Sequence, residues 1–422
     1  MLSKYFAPGA LFSYRDFRRV FFSAAIFVIG SSAFPIALAV SVLDSGGDAT
    51  DLGLILAARV LAGTVLMLAG GVWADRLPRK WVMIGADTFR AIIALILVFV
   101  SASGMPLWAV ALLVFLMGAG DAFGAPAGSA ILPSLIPDHL LPAGNVARGI
   151  VAKVGSIVGP GLGGLAVATI GADLTFGFTA FSFLFATSLL LTIKEPPRTD
   201  ATEKRPTFIT ELREGFAIVW EMKWIAASIA MASFQLMVIV AAETVLLPVI
   251  TRREFDTNSV FAISAAMFSL GGVISAVVAI RIKTSKPGTL AISLWGLFAI
   301  APLVLAFPIN EPVVIIGYFI AGLSIGGWEA YWVTAVQREV PAELQGRVFS
   351  IDFVGSGGLM PIGMALVGPV VALMGEQQFL IAAIAFHLIV CYLVLLVPGV
   401  AELRDPRRLD REISPVGEQK EL

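Results

Sequence analysis

Mostly apolar stretches of about twenty residues recur along the whole chain, and they leave it few places to fold other than a lipid bilayer. A helix needs about 20 mostly apolar residues to cross the hydrocarbon core. Twelve segments meet that length: 17–43, 52–74, 82–103, 107–132, 144–171, 173–193, 224–250, 258–281, 289–308, 312–336, 347–374 and 377–399. Inside lipid every backbone polar group must be satisfied within the protein, so each segment is predicted to be a helix. Composition agrees, with 58% hydrophobic and 14% charged residues among 422 and a mean hydropathy of +0.90. Soluble domains carry about 25% charged residues. The expected class is an all-α integral membrane protein with twelve transmembrane helices. The first apolar run follows Arg15, Arg18 and Arg19 but extends from Phe17 to about Val42. That is longer than the h-region of a cleaved signal peptide, about 7–15 residues, so it reads as a retained span.

The spans fall into two sets of six. The predicted organisation is an N-terminal six-helix half (1–193), a linker (194–223), a C-terminal six-helix half (224–400) and a tail (401–422). In the linker, Phe208, Leu212, Phe216 and Val219–Trp220 recur at helical spacing opposite Glu211, Arg213 and Glu214. That pattern suits an amphipathic helix lying on the membrane face. Twenty-three of the 29 Lys and Arg residues fall in the N-terminal segment, the 2–3, 8–9 and 10–11 loops, the linker and the tail; only Arg252 and Arg253 lie on the opposite side. Basic residues collect on the cytoplasmic side, which puts both termini and the linker there, in an inner (cytoplasmic) membrane. An offset of 204 residues maps Pro137, Leu140, Gly159, Gly164 and Gly171 onto Pro341, Leu344, Gly363, Gly368 and Gly375. The two halves therefore read as pseudo-repeats, the plan of many secondary transporters.

Several function classes are excluded. A net charge of −1 argues against a nucleic-acid binder. One cysteine, Cys391, and two histidines, His139 and His387, leave no disulfide framework and no histidine metal site. Neither a phosphate-binding Gly-x-x-x-x-Gly-Lys-(Ser/Thr) loop nor a His-Glu-x-x-His or Gly-x-Ser-x-Gly constellation occurs. The chain is expected to be no enzyme and to need no metal or cofactor.

Two motifs carry a resemblance. The 2–3 loop contains Gly71, Asp75, Arg76, Arg79 and Lys80 in the pattern Gly-x-x-x-Asp-Arg-x-x-Arg-Lys. This resembles the loop signature of the major facilitator superfamily, with Pro78 where that family usually has glycine. Span 5 contains Gly155, Gly159, Pro160, Gly163 and Gly164, matching the family's antiporter signature Gly-x-x-x-Gly-Pro-x-x-Gly-Gly at every fixed position. Its small residues allow close helix approach, and its proline interrupts the backbone ladder. The resemblance implies that the loop motif latches the two halves, with Asp75 accepting from the start of span 11 near Arg347, and that the span 5 motif marks an exporter. Arg15–Arg19, Ile84–Asp87, Gln337–Pro341 and Gln345–Phe349 look like the branch containing bacterial macrolide-efflux and siderophore-export proteins. Many antiporters of the family carry an arginine in span 4 where this chain has Val114.

Ionisable residues inside spans are costly and default to function. Asp121 lies near the middle of span 4 among Gly120, Gly124 and Gly128; it reads either as a proton carrier or as an acid satisfied by neighbouring helices. Glu243 in span 7 and Arg59 in span 2 could pair across the halves, as a gate or as a static salt bridge. Glu329 is accompanied by Trp328, Tyr331 and Trp332 on one helical face, which suits an aromatic or cationic ligand or an interfacial belt. Asp87 and Arg90 are spaced to pair with each other, and His387 reads as a packing residue. The expected function is secondary export of an amphipathic organic molecule, of drug, macrolide or siderophore type, by alternating access with proton antiport. The expected partners are that substrate, protons and the bilayer, and the protein is expected to be monomeric. The competing reading is an importer, or a lipid or metabolite permease, without proton coupling.

Overall fold

The computed structural model describes residues 9–103, 106–195, 216–217, 219–279, 281–282, 284 and 286–403, without the side chains of 68, 69, 71, 72, 74–76, 102, 153, 156, 157, 342, 343 and 346. The described residues are helical almost throughout. In the first half these are α1 (Arg15–Asp44), α2 (Ala49–Arg76), α3 (Arg79–Ala102), α4 (Leu107–Ala130) and α5 (Leu141–Leu191). In the second they are α6 (Lys223–Gln235), α7 (Ala241–Phe255), α8 (Ser259–Ala279), α9 (Pro287–Gly296), α10 (Ile300–Ala306), α11 (Glu311–Glu339), α12 (Ala342–Gly357), α13 (Met360–Met374) and α14 (Glu376–Leu395). Most of the linker, including Phe208 and Leu212, and nearly all of the tail lie outside the described residues. Where the linker becomes visible, Phe216 and Trp220 stack with ring centroids 6.0 Å apart.

Eleven helical runs among the described residues are long and apolar enough to cross a membrane. One of them continues through Gly171, where φ is 84° and ψ is 166°. A backbone in that region is open to glycine and costly for other residues, so the chain turns sharply there. Gly375, its counterpart at the offset of 204, has φ 86° and ψ 148° and separates α13 from α14. The same turn at the same repeat position marks the two arms of α5 as separate spans, which is how twelve spans fit eleven runs.

Within the first half α1 packs along α5 and α2 along α4; in the second, α8 packs along α11. The halves meet through α2 against α13 and α5 against α8. Two apolar clusters combine residues of both halves: Ala262 joins Phe34, Leu38 and Phe176, and Ala57 joins Val245, Val260 and Met364. These lie toward the end of the bundle that carries Asp44, Gly171, Arg252 and Gly375. There Arg252 pairs with Asp44 at 2.5 Å across the halves. Toward the end that carries the termini, the clusters stay within one half. Leu11, Phe17, Leu132 and Ile136 form one such cluster, and Trp224, Trp332, Val348 and Leu403 belong to another. The bundle is thus closed at the end opposite the termini, with its halves packed separately at the other.

Candidate functional site: an ion-pair network and a solitary acid between the halves

In the first half, four charged side chains from three helices form one network. Asp121 on α4 accepts from Arg59 Nη2 at 3.0 Å and Nε at 3.2 Å through Oδ2, and from Arg90 Nη1 at 2.8 Å through Oδ1. Arg90 also pairs with Asp87 one turn away. Two guanidiniums face two carboxylates, so the group is neutral as a whole. Glycines give it room: a methyl at Gly120 or Gly124 would collide with the Arg90 side chain, and one at Gly118 would strike the Arg59 backbone. Phe27 and Phe183 flank the Arg90 guanidinium at 4.4 and 5.5 Å from their centroids, and Phe34 flanks that of Arg59 at 4.9 Å. Such contacts stabilise a desolvated cation. The network lines a cavity of about 440 Å³ together with the apolar residues Val20, Phe27, Val28 and Met83.

The expected pairing of Arg59 with Glu243 is corrected. The glycines of α4 draw α2 so close that Arg59 reaches Asp121 within its own half, and a guanidinium engaged there is not available to span 7. The i, i+3 pairing of Asp87 with Arg90 is present, and it extends to a third helix through Asp121.

Glu243 stands apart from any cation among the described residues. It follows a π-helical segment, Leu236–Val240, between α6 and α7; such segments concentrate at functional sites. The Thr244 hydroxyl approaches its carboxylate at 3.4 Å. Tyr318 of α11 faces the same carboxylate without closing a hydrogen bond of ordinary geometry. Glu243 and Tyr318 line a cavity of about 250 Å³ whose walls come from both halves, including Ser32, Pro35 and Pro160 from the first. Pro160 is the proline of the span 5 motif. The glycines of that motif divide between two neighbours: Gly155, Gly159 and Gly163 abut Val28, Ser32 and Ala33 of α1, whereas Gly164 abuts Ala262 of α8. The motif therefore packs α5 onto its own half and onto the other half at once, beside the Glu243 cavity.

The remaining candidates are placed as follows. Trp328 and Trp332 stack at 5.8 Å, Trp332 also meets Trp224 edge-on, and its indole donates to Asp352 at 2.8 Å. Tyr331 donates to the Ala279 carbonyl at 3.3 Å, and Glu329 is exposed. Trp328 and Trp332 turn their faces to each other, Trp332 meets Trp224, and Tyr331 is a half-buried ring packed against the same core. In the loop motif, the side chains of Asp75 and Arg76, like Gly71, lie outside the described residues. Lys80 donates through Nζ to the Leu191 and Ile193 carbonyls at 2.9 and 2.7 Å, and Arg79 donates to the Ala130 carbonyl. The Glu195 carboxylate caps the start of α3, accepting from the Arg79 and Lys80 backbone N–H groups at 3.1 and 2.9 Å. The loop is thereby tied to the end of α5 and the first residues of the linker.

Sequence reasoning missed Tyr318 and Gln235. Gln235 is buried, accepts from Trp295 Nε1 at 2.6 Å and donates to the His387 carbonyl and Cys391 Sγ at 3.2 and 3.3 Å. His387 bonds the Trp295 carbonyl at 3.1 Å. An uncharged polar residue in an apolar span leaves little trace in a hydropathy pattern, which is why neither stood out.

A family model described as Major Facilitator Superfamily matches residues 20–364. Macrolide efflux protein A of Streptococcus pyogenes is 24% identical over 398 residues, covering 92% of this chain and 96% of that protein. Multidrug efflux pump Tap of Mycolicibacterium fortuitum is 26% identical over 399 residues, covering 91% and 96%. The fold is also that of a bacterial homolog of the human lysosomal transporter Spinster in an inward-facing, unoccupied conformation, with a TM-score of 0.69, 16% identity and coverage of 92% and 98%.

Proposed function

The chain belongs to the Major Facilitator Superfamily, and from that membership we propose that it exports amphipathic organic molecules across the bacterial cytoplasmic membrane in exchange for protons. It is a multi-pass membrane transporter rather than an enzyme; direction, coupling and substrate are the proposal. The observation that carries it is the span 5 motif seated between the halves, with Pro160 on the wall of the cavity that holds Glu243. Two relatives bearing the names of efflux pumps support the direction.

The distribution of basic residues supports cytoplasmic termini; in this reading the closed end faces outward and the cavity beside Asp121 opens toward the cytoplasm. Transport then requires the packing at the far end to separate while the terminal end closes, the two halves rocking about the site between them. Glu243 is the proton carrier in this scheme. Among the described residues it has no cation to hold it, and it lies where a change in the inter-half contacts alters its access to water. Asp121, bracketed by Arg59 and Arg90, keeps the first half's wall in shape. The protein is taken to act as a monomer, since each chain contains both halves.

Dye-reported proton movement in energised inside-out vesicles tests this, with macrolides, lipophilic cations and siderophores as challenges. A compound that collapses the gradient in wild type and not in Glu243→Gln fits the proposal. A collapse that survives Glu243→Gln removes Glu243 as the carrier. Substrate movement without any proton movement in wild type identifies an uncoupled permease.

A further inference from the structure

The charges around the larger cavity do not cancel. Arg59, Arg90 and Arg148 line it with only Asp87 and Asp121 against them. Three ion pairs consume both carboxylates within the Arg59–Asp121–Arg90–Asp87 network. Arg148, half-buried on α5, has no carboxylate partner among the described residues; its guanidinium makes one long contact, 3.4 Å, to the Ser129 carbonyl. A guanidinium has five N–H donors in a planar fork matched to carboxylate and other oxyanions. Placing it in the membrane without a counter-charge is costly, and that cost is recovered when a ligand brings the charge.

We propose that Arg148 is a substrate-binding residue that recognises an anionic oxygen-bearing group, a carboxylate or a similar oxyanion, on an amphiphile whose apolar body lies along Val20, Phe27, Val28 and Met83. The inference rests on the exporter reading for its setting and narrows the substrate class of the same site. The network beside Arg148 favours this division of labour. Asp121 and Asp87 hold Arg59 and Arg90, so the neutral quartet forms the rigid floor, and among the described residues that line the cavity Arg148 is the charge left over. A cationic amphiphile would meet a net positive wall here, in the part of the cavity that opens toward the termini.

Three probes sharing one apolar body isolate the charge: pyrenebutyrate, pyrenebutanol and pyrenebutyltrimethylammonium. Equilibrium binding to the purified full-length protein in detergent, without a proton gradient, reads recognition separately from coupling. A failure here leaves the antiport reading standing, and a failed antiport assay leaves this one standing. Wild type is expected to bind pyrenebutyrate roughly tenfold tighter than pyrenebutanol, as one partly solvated charge pair supports, and to bind the trimethylammonium probe weakest. Arg148→Gln should erase the tenfold preference while leaving pyrenebutanol unchanged, Arg148→Lys should retain most of it, and Arg148→Glu should invert it toward the cation. The lysine and glutamate variants separate recognition from misfolding, since a misfolded protein loses all three probes together. Equal binding of the three probes by wild type overturns the proposal. So does a preference for the cation, or an Arg148→Gln variant that weakens all three alike, the result expected of a residue that acts only as a gate.

Discussion

The two halves descend from one plan, yet they handle charge in opposite ways. The first half buries two arginines and two acids against each other, with Asp121 shared between Arg59 and Arg90. The second half arranges its buried acid and polar groups differently. It holds Glu243 with only hydroxyls beside it, and an uncharged cluster of Gln235, Trp295, His387 and Cys391. Mutual pairing fixes charges in place, because breaking any one pair leaves its partner buried or half-buried without a counter-charge. A carboxyl group without a cation is free to change its charge as its surroundings change. The comparison supports the proposal that the first half's charges are structural and that the second half's acid is the one that cycles.

The sharpest way to break that contrast is to remove Asp121. Asp121→Ala leaves two guanidiniums competing for Asp87 and should lower stability by about 3 kcal/mol, read as a fall in thermal unfolding temperature in detergent. Little change would mean that the network is not holding the half together. Next in size is Gly164→Val, which forces a side chain into Ala262 across the halves. Overpacking costs about 1–3 kcal/mol and acts only where α5 and α8 touch, so it should raise labelling of a cysteine placed at the closed end. In the second half, Gln235→Leu leaves the buried Trp295 N–H without its acceptor. A loss of about 1–2 kcal/mol is expected, measured by the same unfolding assay. The smallest effect belongs to Asp44→Asn, which removes a half-exposed bridge to Arg252. Its stability change should stay below about 1 kcal/mol, and its value lies in whether closed-end labelling rises at all.

The spans and the pseudo-repeat were legible because lipid demands long apolar runs and because a turn with positive φ demands glycine, as at Gly171 and Gly375. The pairing of Asp87 with Arg90 was legible from helical spacing. The partner of Arg59 was not: the choice between Asp121 and Glu243 is made by how closely α2 approaches α4, and a glycine states that approach is possible without naming the neighbour. The neighbours of the three aromatics of α11 were not legible for a related reason. Periodicity puts Trp328, Tyr331 and Trp332 on one face, but only the neighbouring helices decide whether that face meets ligand, lipid or Trp224. The significance of Arg148 rests on a count of partners that requires all three dimensions.

The central claim is that the exchangeable proton belongs to Glu243 and the fixed charges to the Asp121 network. Difference infrared spectroscopy of the carboxylic-acid carbonyl stretch, recorded as the pH is cycled on purified protein, tests it directly. The account predicts a protonated-acid band that appears and disappears with pH in wild type, persists in Asp121→Asn and is absent in Glu243→Gln. A band that survives Glu243→Gln and vanishes in Asp121→Asn would contradict it.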